Sequence, residues 1–226
     1  MKIRDLKLPA LQVALDFTSV EQALRILSEI RDLDLGIVEV GTPLIKSEGM
    51  KSVSEIRNFV ERTPVLADTK TVDAGALEAE LAIRSGADFM TVLALADNVV
   101  VESAVRTSRS LGGDVVADFI GFRGDVVTRA RELAEIGVEA VNVHVGIDVQ
   151  RSLGFTAAGL RDTVRILSKE VSELILSVSG GIKPEDIPVL LDAGAQIVVV
   201  GGAITRSRSP RQVAEMCAKA LRHFPR

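Results

Sequence analysis

The feature that most limits how this chain can fold is an alternation repeated eight times along its 226 residues: a short β-rich run, then an amphipathic helical stretch. The pattern predicts strands over 11–16, 36–40, 65–70, 89–93, 114–119, 140–145, 174–179 and 196–200. It predicts helices over 19–33, 49–62, 74–85, 98–111, 125–136, 157–170, 184–193 and 210–223. Ser19 suits an N-cap and Pro184 a first helical turn, while Gly86, Gly137 and Gly194 suit helix stops. A Gly-Ala or Gly-Val pair precedes three strands, at Gly86-Ala87, Gly137-Val138 and Gly194-Ala195. Units of similar length repeated this way predict one (β/α)8 TIM barrel domain over residues 1–226. The competing doubly wound open sheet would carry Gly-x-Gly-x-x-Gly after its first strand, and this chain does not.

Composition narrows the function classes. Apolar residues make up 47% of the chain, enough for a real core, and a net charge of −4 leaves no electrostatic footprint for nucleic acid. No apolar run reaches the roughly 18 residues of a membrane span, so no membrane partner is expected. The start, Met1-Lys2-Ile3-Arg4-Asp5, lacks the apolar stretch of a secretory leader. A lone cysteine, Cys217, excludes an internal disulfide and suits a reducing, cytoplasmic setting. There is no Cys/His cluster for zinc, and of the two histidines, His223 reads as a solvated surface residue.

Active sites of (β/α)8 barrels lie at the C-terminal ends of the strands. Here those ends carry Asp16, Glu39, Asp68 with Lys70, Asp118 and His144. Side chains two apart on a strand share a face. Asp68 and Lys70 therefore point with Leu66 into one space, Asp16 with Gln12, Glu39 with Ile37, Asp118 with Val116, and His144 with Asn142. A buried ion pair, with Asp73 as an N-cap, would account for the third strand alone. Five strands ending in charge do not suit packing, because unpaired buried charges are costly. The seventh and eighth strands instead end in glycine pairs, Gly180-Gly181 and Gly201-Gly202, where backbone N–H groups can approach a phosphate. The run Arg206-Ser207-Arg208-Ser209-Pro210-Arg211 reads as a solvated loop and helix start within reach of such an anion.

With these residues in hand, the chain resembles the orotidine-monophosphate decarboxylase suprafamily throughout its length. The segments that carry the likeness are Leu11-Gln12-Val13-Ala14-Leu15-Asp16, Glu39-Val40-Gly41-Thr42-Pro43-Leu44, Asp68-Thr69-Lys70-Thr71-Val72-Asp73, His144-Val145-Gly146-Ile147-Asp148-Val149-Gln150 and Gly201-Gly202-Ala203-Ile204-Thr205. The orotidine-monophosphate decarboxylases place lysine where this chain has Glu39, and the keto-gulonate-phosphate decarboxylases place arginine at Ile147 and Gly202. The chain is thus most similar to the 3-hexulose-6-phosphate synthase branch, although those members usually have Thr and Tyr at Val145 and Ile147.

The resemblance implies an Mg2+-dependent, reversible aldol reaction in which the enediolate of a phosphorylated ketose, D-ribulose 5-phosphate, attacks formaldehyde. It implies Glu39 and Asp68 as metal ligands and Lys70 as a fixed charge beside the enediolate. His144 would carry a proton, since imidazole as a class titrates near neutral pH. Asp16 and Asp118 would orient substrate hydroxyls or Lys70, and Gly180, Gly181, Gly201 and Gly202 would hold the phosphate. It also implies a homodimer in which Asp73 reaches the partner's site. A decarboxylase or epimerase of another sugar phosphate is the alternative within enzymes, and a phosphate-sensing barrel the alternative outside them.

Overall fold

A computed structural model describes residues 1–154 and 157–222; the His223 expectation lies outside them. The strands are β1 Ala10–Leu15, β2 Ile37–Val40, β3 Val65–Thr71, β4 Phe89–Leu93, β5 Asp114–Asp118, β6 Ala140–His144, β7 Ile175–Ser179 and β8 Ile197–Val200. They pair in parallel and in sequence order, and β8 returns to β1 to close the barrel, with Ala10 opposite Ile197 and Val13 opposite Val200. The helices are α1 Val20–Ile30, α2 Thr42–Glu48, α3 Lys51–Val60, α4 Gly75–Arg84, α5 Asn98–Ser110, α6 Val126–Ile136, α7 Ile147–Leu153, α8 Ala157–Glu170, α9 Ile187–Asp192, α10 Gly202–Thr205 and α11 Pro210–Arg222.

All eight predicted strands are present, with no end shifted by more than one residue. Three short helices had no counterpart in the sequence pattern. They are α2, α7 and α10, each on the mouth side after a strand and each too short to show a helical period. Ser19 occupies the N-cap of α1 but makes no capping bond; its hydroxyl pairs with Glu21 instead. Pro184 opens a 3-10 turn that leads into α9.

Two apolar layers hold the fold. Outward-facing strand residues such as Val13, Val38, Ala67, Met90, Val141 and Val198 pack under the helices. Inside, Ile37, Leu66, Phe89, Val116, Ala140 and Ile197 fill the lower lumen, and Ile3 from an N-terminal 3-10 turn plugs it from beneath. Two residues further along five of the strands, on the same face, the filling turns polar: Glu39 follows Ile37, Asp68 follows Leu66, Thr91 follows Phe89, Asp118 follows Val116 and Asn142 follows Ala140. All five are buried. The pleat thus sets a charged layer directly on an apolar floor. Among the described residues no helix is long and apolar enough to cross a membrane.

Candidate active site

β3 is irregular where it matters. Ala67 pairs with Met90 and Thr71 with Val92, so four residues of β3 advance against two of β4. Lys70 lies within this bulge in the left-handed region, at φ +48°, a costly conformation for a residue with a side chain. Its N–H donates to Thr91 Oγ1 at 2.9 Å instead of to a strand carbonyl. The Lys70 ammonium still meets Asp68 Oδ2, as alternation predicted, but the bulge brings it there and not a regular pleat. Asp68 is fully engaged. Thr91 Oγ1 donates to Oδ1 at 2.8 Å, and Thr42 Oγ1 lies 2.8 Å from Oδ2. Neither threonine had been singled out in the sequence. Thr91 was findable, since it stands two residues beyond an inward Phe89. Thr42 was not, because it opens a helix that the pattern does not reveal.

On the other side of Lys70 lies Asp118, whose Oδ2 is 3.9 Å from the ammonium. That same oxygen is 2.8 Å from His144 Nδ1, and Ile120 N–H donates to Oδ1 at 2.9 Å. Lys70 is thereby seated between two buried carboxylates, and His144 is oriented by the second. Burial alone would lower the Lys70 pKa, but Asp68 and Asp118 outweigh it and hold the amine above its ordinary value. Burial likewise would raise the Asp68 carboxyl, yet Lys70 and the two threonine hydroxyls keep it below the ordinary range. The pair is a fixed ammonium–carboxylate unit.

Glu39 is the opposite case. Burial pushes its carboxyl well above the usual range, and the negative fields of Asp68 and Asp16 push it further. It accepts a single described hydrogen bond, from Gln12 Nε2 at 2.6 Å. Asp16 stands past the end of β1 at the rim, its carboxyl raised by burial among its neighbours and by Asp68. Neither Glu39 nor Asp16 has an ion pair of its own among the described residues, the Lys70 ammonium being taken by Asp68, and hard carboxylate oxygens are the ligand type that Mg2+ selects. Mg2+ binds through one or two carboxylates plus substrate oxygens and water, so Glu39 with Asp68 fits it. Among the described residues no group of three or more acidic, His or Cys side chains forms a self-sufficient metal cage.

Asp73 is not brought to this cluster. It is exposed beyond β3, and its Oδ1 accepts only from Ala74 N–H at 2.8 Å. Nor does it cap α4, whose N-cap is Ala74. Val72, next to it, Leu77 and Leu81 of α4, and Leu95 just before and Val99 at the start of α5, which packs on α4, are exposed apolar residues.

The glycine pairs lie at the β7 and β8 ends. Gly180 and Gly181 take φ of +121° and +70°, which only glycine adopts without strain. Gln150 of α7 covers this turn, donating to the Val145 carbonyl from Nε2 while its Oε1 faces Gly181.

A closed (β/α)8 barrel with a lysine between acidic strand ends and glycine turns after its last two strands defines a barrel protein whose charged site lies at the C-terminal mouth. The chain belongs to the orotidine 5'-phosphate decarboxylase / HUMPS family, whose profile matches residues 9–217. It is 37% identical over 211 residues to a 3-hexulose-6-phosphate synthase from Mycobacterium gastri, covering 93% of this chain and 99% of that protein. A crystal structure of a 3-hexulose-6-phosphate synthase from Salmonella typhimurium superimposes with a TM-score of 0.90 at 31% identity, covering 96% of this chain and all of that one (100%). A 3-keto-L-gulonate-6-phosphate decarboxylase structure from Vibrio cholerae gives 0.84 at 28% identity, covering 97% of this chain and 100% of that one.

Proposed function

We propose that the protein is an aldehyde-lyase of the 3-hexulose-6-phosphate synthase type, joining D-ribulose 5-phosphate to formaldehyde to give D-arabino-3-hexulose 6-phosphate, reversibly. The observation that carries this reading is the Lys70 ammonium held between Asp68 and Asp118 beside an Asp-oriented His144. A ketose deprotonated at C1 gains negative charge on two adjacent oxygens, and a fixed ammonium beside them favours that charge. With Nδ1 of His144 turned to Asp118, Nε2 is the nitrogen left to accept the C1 proton. The carbanionic C1 then bonds to the formaldehyde carbon, the formaldehyde C=O becomes an alkoxide, and His144 returns the proton to it. Glu39 and Asp68 would hold Mg2+, which supplies positive charge toward the substrate oxygens. Asp16 would order hydroxyls at the rim, and the Gly180-Gly181 and Gly201-Gly202 amides would take the phosphate.

The exposed apolar residues of α4 and the start of α5, with Val72 next to Asp73, support a homodimer with shared sites, a second copy bringing its own Asp73 to this mouth. Cys217, buried and unpaired, supports a cytoplasmic location. The test is consumption of formaldehyde with D-ribulose 5-phosphate, with and without EDTA. Turnover lost to EDTA and restored by Mg2+ is expected. Carbon dioxide release from a 3-keto-hexonate 6-phosphate, without formaldehyde consumption, would replace this reading by the decarboxylase. Phosphate binding without turnover of any sugar phosphate would replace it by a sensing barrel.

A further inference from the structure

Arg206 follows α10 directly, and its side chain runs back along the helix for one turn to lie over Gly202. A Cβ added at residue 202 would come within 2.5 Å of the Arg206 Cζ and closer still to Nη2. Helical side chains lean toward the N-terminal end, so a residue four positions later covers the earlier one. Residue 202 must therefore be glycine for the guanidinium to sit where it does. Its φ is not the reason, since Gly202 is absent from the positive-φ positions.

Some arginines of this chain are tied to the protein, and others, Arg25, Arg106 and Arg208 among them, have no side-chain hydrogen bond or ion pair among the described residues. Arg57, Arg109 and Arg129 are each held by carboxylates and carbonyls. Among the described residues Arg206 has neither a side-chain hydrogen bond nor an ion pair, although five N–H donors are available. It is nevertheless at the mouth. Its field reaches Asp16, and the Asp16 Oδ2 lies 3.4 Å from where a Gly201 Cβ would stand. Asp16, Gly201, Gly202 and Arg206 are thus contiguous.

A phosphate monoester dianion held there by amides alone would face the carboxylates of Asp16, Glu39, Asp68 and Asp118 with little positive charge of its own side. We propose that Arg206 is the phosphate-charge reader of this site, its guanidinium forked onto the phosphate oxygens and seated by Gly202. The proposal rests on the sugar-phosphate reading above and adds the residue that would discriminate a phosphorylated ketose from the free sugar. Arginine suits the task because its planar fork matches two phosphate oxygens, which an ammonium does not.

The test is equilibrium binding of inorganic phosphate, by calorimetry at low ionic strength, to the full chain and to R206Q, R206K and G202A. Arg206 is exposed, so R206Q is expected to keep the wild-type melting profile. Phosphate affinity should fall about ten- to hundredfold in R206Q, with R206K between. G202A should displace the guanidinium and lose a similar factor, and the R206Q/G202A double variant should lose little beyond R206Q. These results support the assignment whether or not formaldehyde is consumed, so failure of the reaction reading is separable. Equal phosphate affinity in wild type and R206Q, no phosphate binding by the wild type, or losses in R206Q and G202A that multiply in full would each overturn it.

Discussion

His144 Nδ1 lies 2.8 Å from Asp118 Oδ2, the oxygen that also faces the Lys70 ammonium at 3.9 Å. One carboxylate oxygen therefore orients the proton carrier and borders the fixed charge. Asp118→Asn would remove a charge that both neighbours use and would permit the wrong imidazole tautomer. We expect kcat to fall at least about a hundredfold, with His144→Gln comparable and the double variant far from additive. Exchange of the C1 proton of ribulose 5-phosphate in deuterated water, followed by NMR without formaldehyde, isolates the step. Wild-type exchange rates in both single variants would refute the assignment of His144.

Thr91 ties two strands to one lysine. Its hydroxyl donates to Asp68, and it accepts the N–H of a Lys70 whose backbone is left-handed. Thr91→Val keeps the shape and removes both bonds. A destabilisation of about 1–3 kcal/mol is expected from the unsatisfied buried partners, read by denaturant titration. Turnover should fall as well, because the bulge that carries the ammonium loses its tie. Lys70→Ala should abolish turnover outright and leave the fold in place.

These two sites show what a sequence makes legible. Period-two counting found Glu39, Asp68, Asp118 and His144, because a barrel strand converts sequence parity into direction, and the apolar residue two below Glu39, Asp68 and Asp118 and four below His144 fixes which parity is inward. It also located Lys70, though a regular pleat was the wrong cause: a bulge depends on β4 as much as on β3, and a single segment cannot announce it. Thr42 and Gln150 remained hidden for a related reason. Their roles come from what lies opposite them, Asp68 for Thr42 and the Gly180-Gly181 turn for Gln150. Asp73 is the remaining case, a residue whose proposed role needs a surface that one chain does not contain.

That surface makes its own prediction. If a second copy covers Val72, Leu77, Leu81 and Val99, then Leu77→Glu should drive the protein toward monomer in analytical ultracentrifugation and take activity with it. Lys70→Ala and Asp73→Ala proteins, each inactive alone, should regain activity when mixed, up to about a quarter of wild type from mixed dimers with one intact site. Absence of recovery after verified subunit exchange would count against shared sites.

Glu39 is the proposed metal ligand whose isolated charge the site tolerates least, since burial and two carboxylates oppose its ionisation. Glu39→Gln preserves the contact with Gln12 in shape but not the hard anionic ligand. The Mg2+ concentration for half-maximal turnover should rise at least about tenfold, the scale on which ligand-shell changes act on metal affinity. Stability without metal should not fall, and should rise slightly, because a neutral amide replaces a group that burial penalises. An unchanged Mg2+ requirement would move the metal away from this residue.

At the barrel floor, Asp114 offers a test of electrostatics remote from the chemistry. It is fully buried at the start of β5, accepts from Ile3 N–H at 3.3 Å and from Val115 N–H at 3.0 Å, and has Arg109 Nε 3.4 Å away. Burial raises its carboxyl above the ordinary aspartate value despite these partners. The folded state therefore binds this proton more tightly than the unfolded state does. The associated stability is fully present below the unfolded pKa and is lost as pH rises through the folded value. Asp114→Asn removes that dependence. Relative to the variant, the wild type should be more stable at about pH 3.5 than at pH 7, as measured by paired denaturant titrations. A difference that is flat with pH, or that grows toward neutrality, would mean that Arg109 and the two amides dominate over burial at this carboxylate.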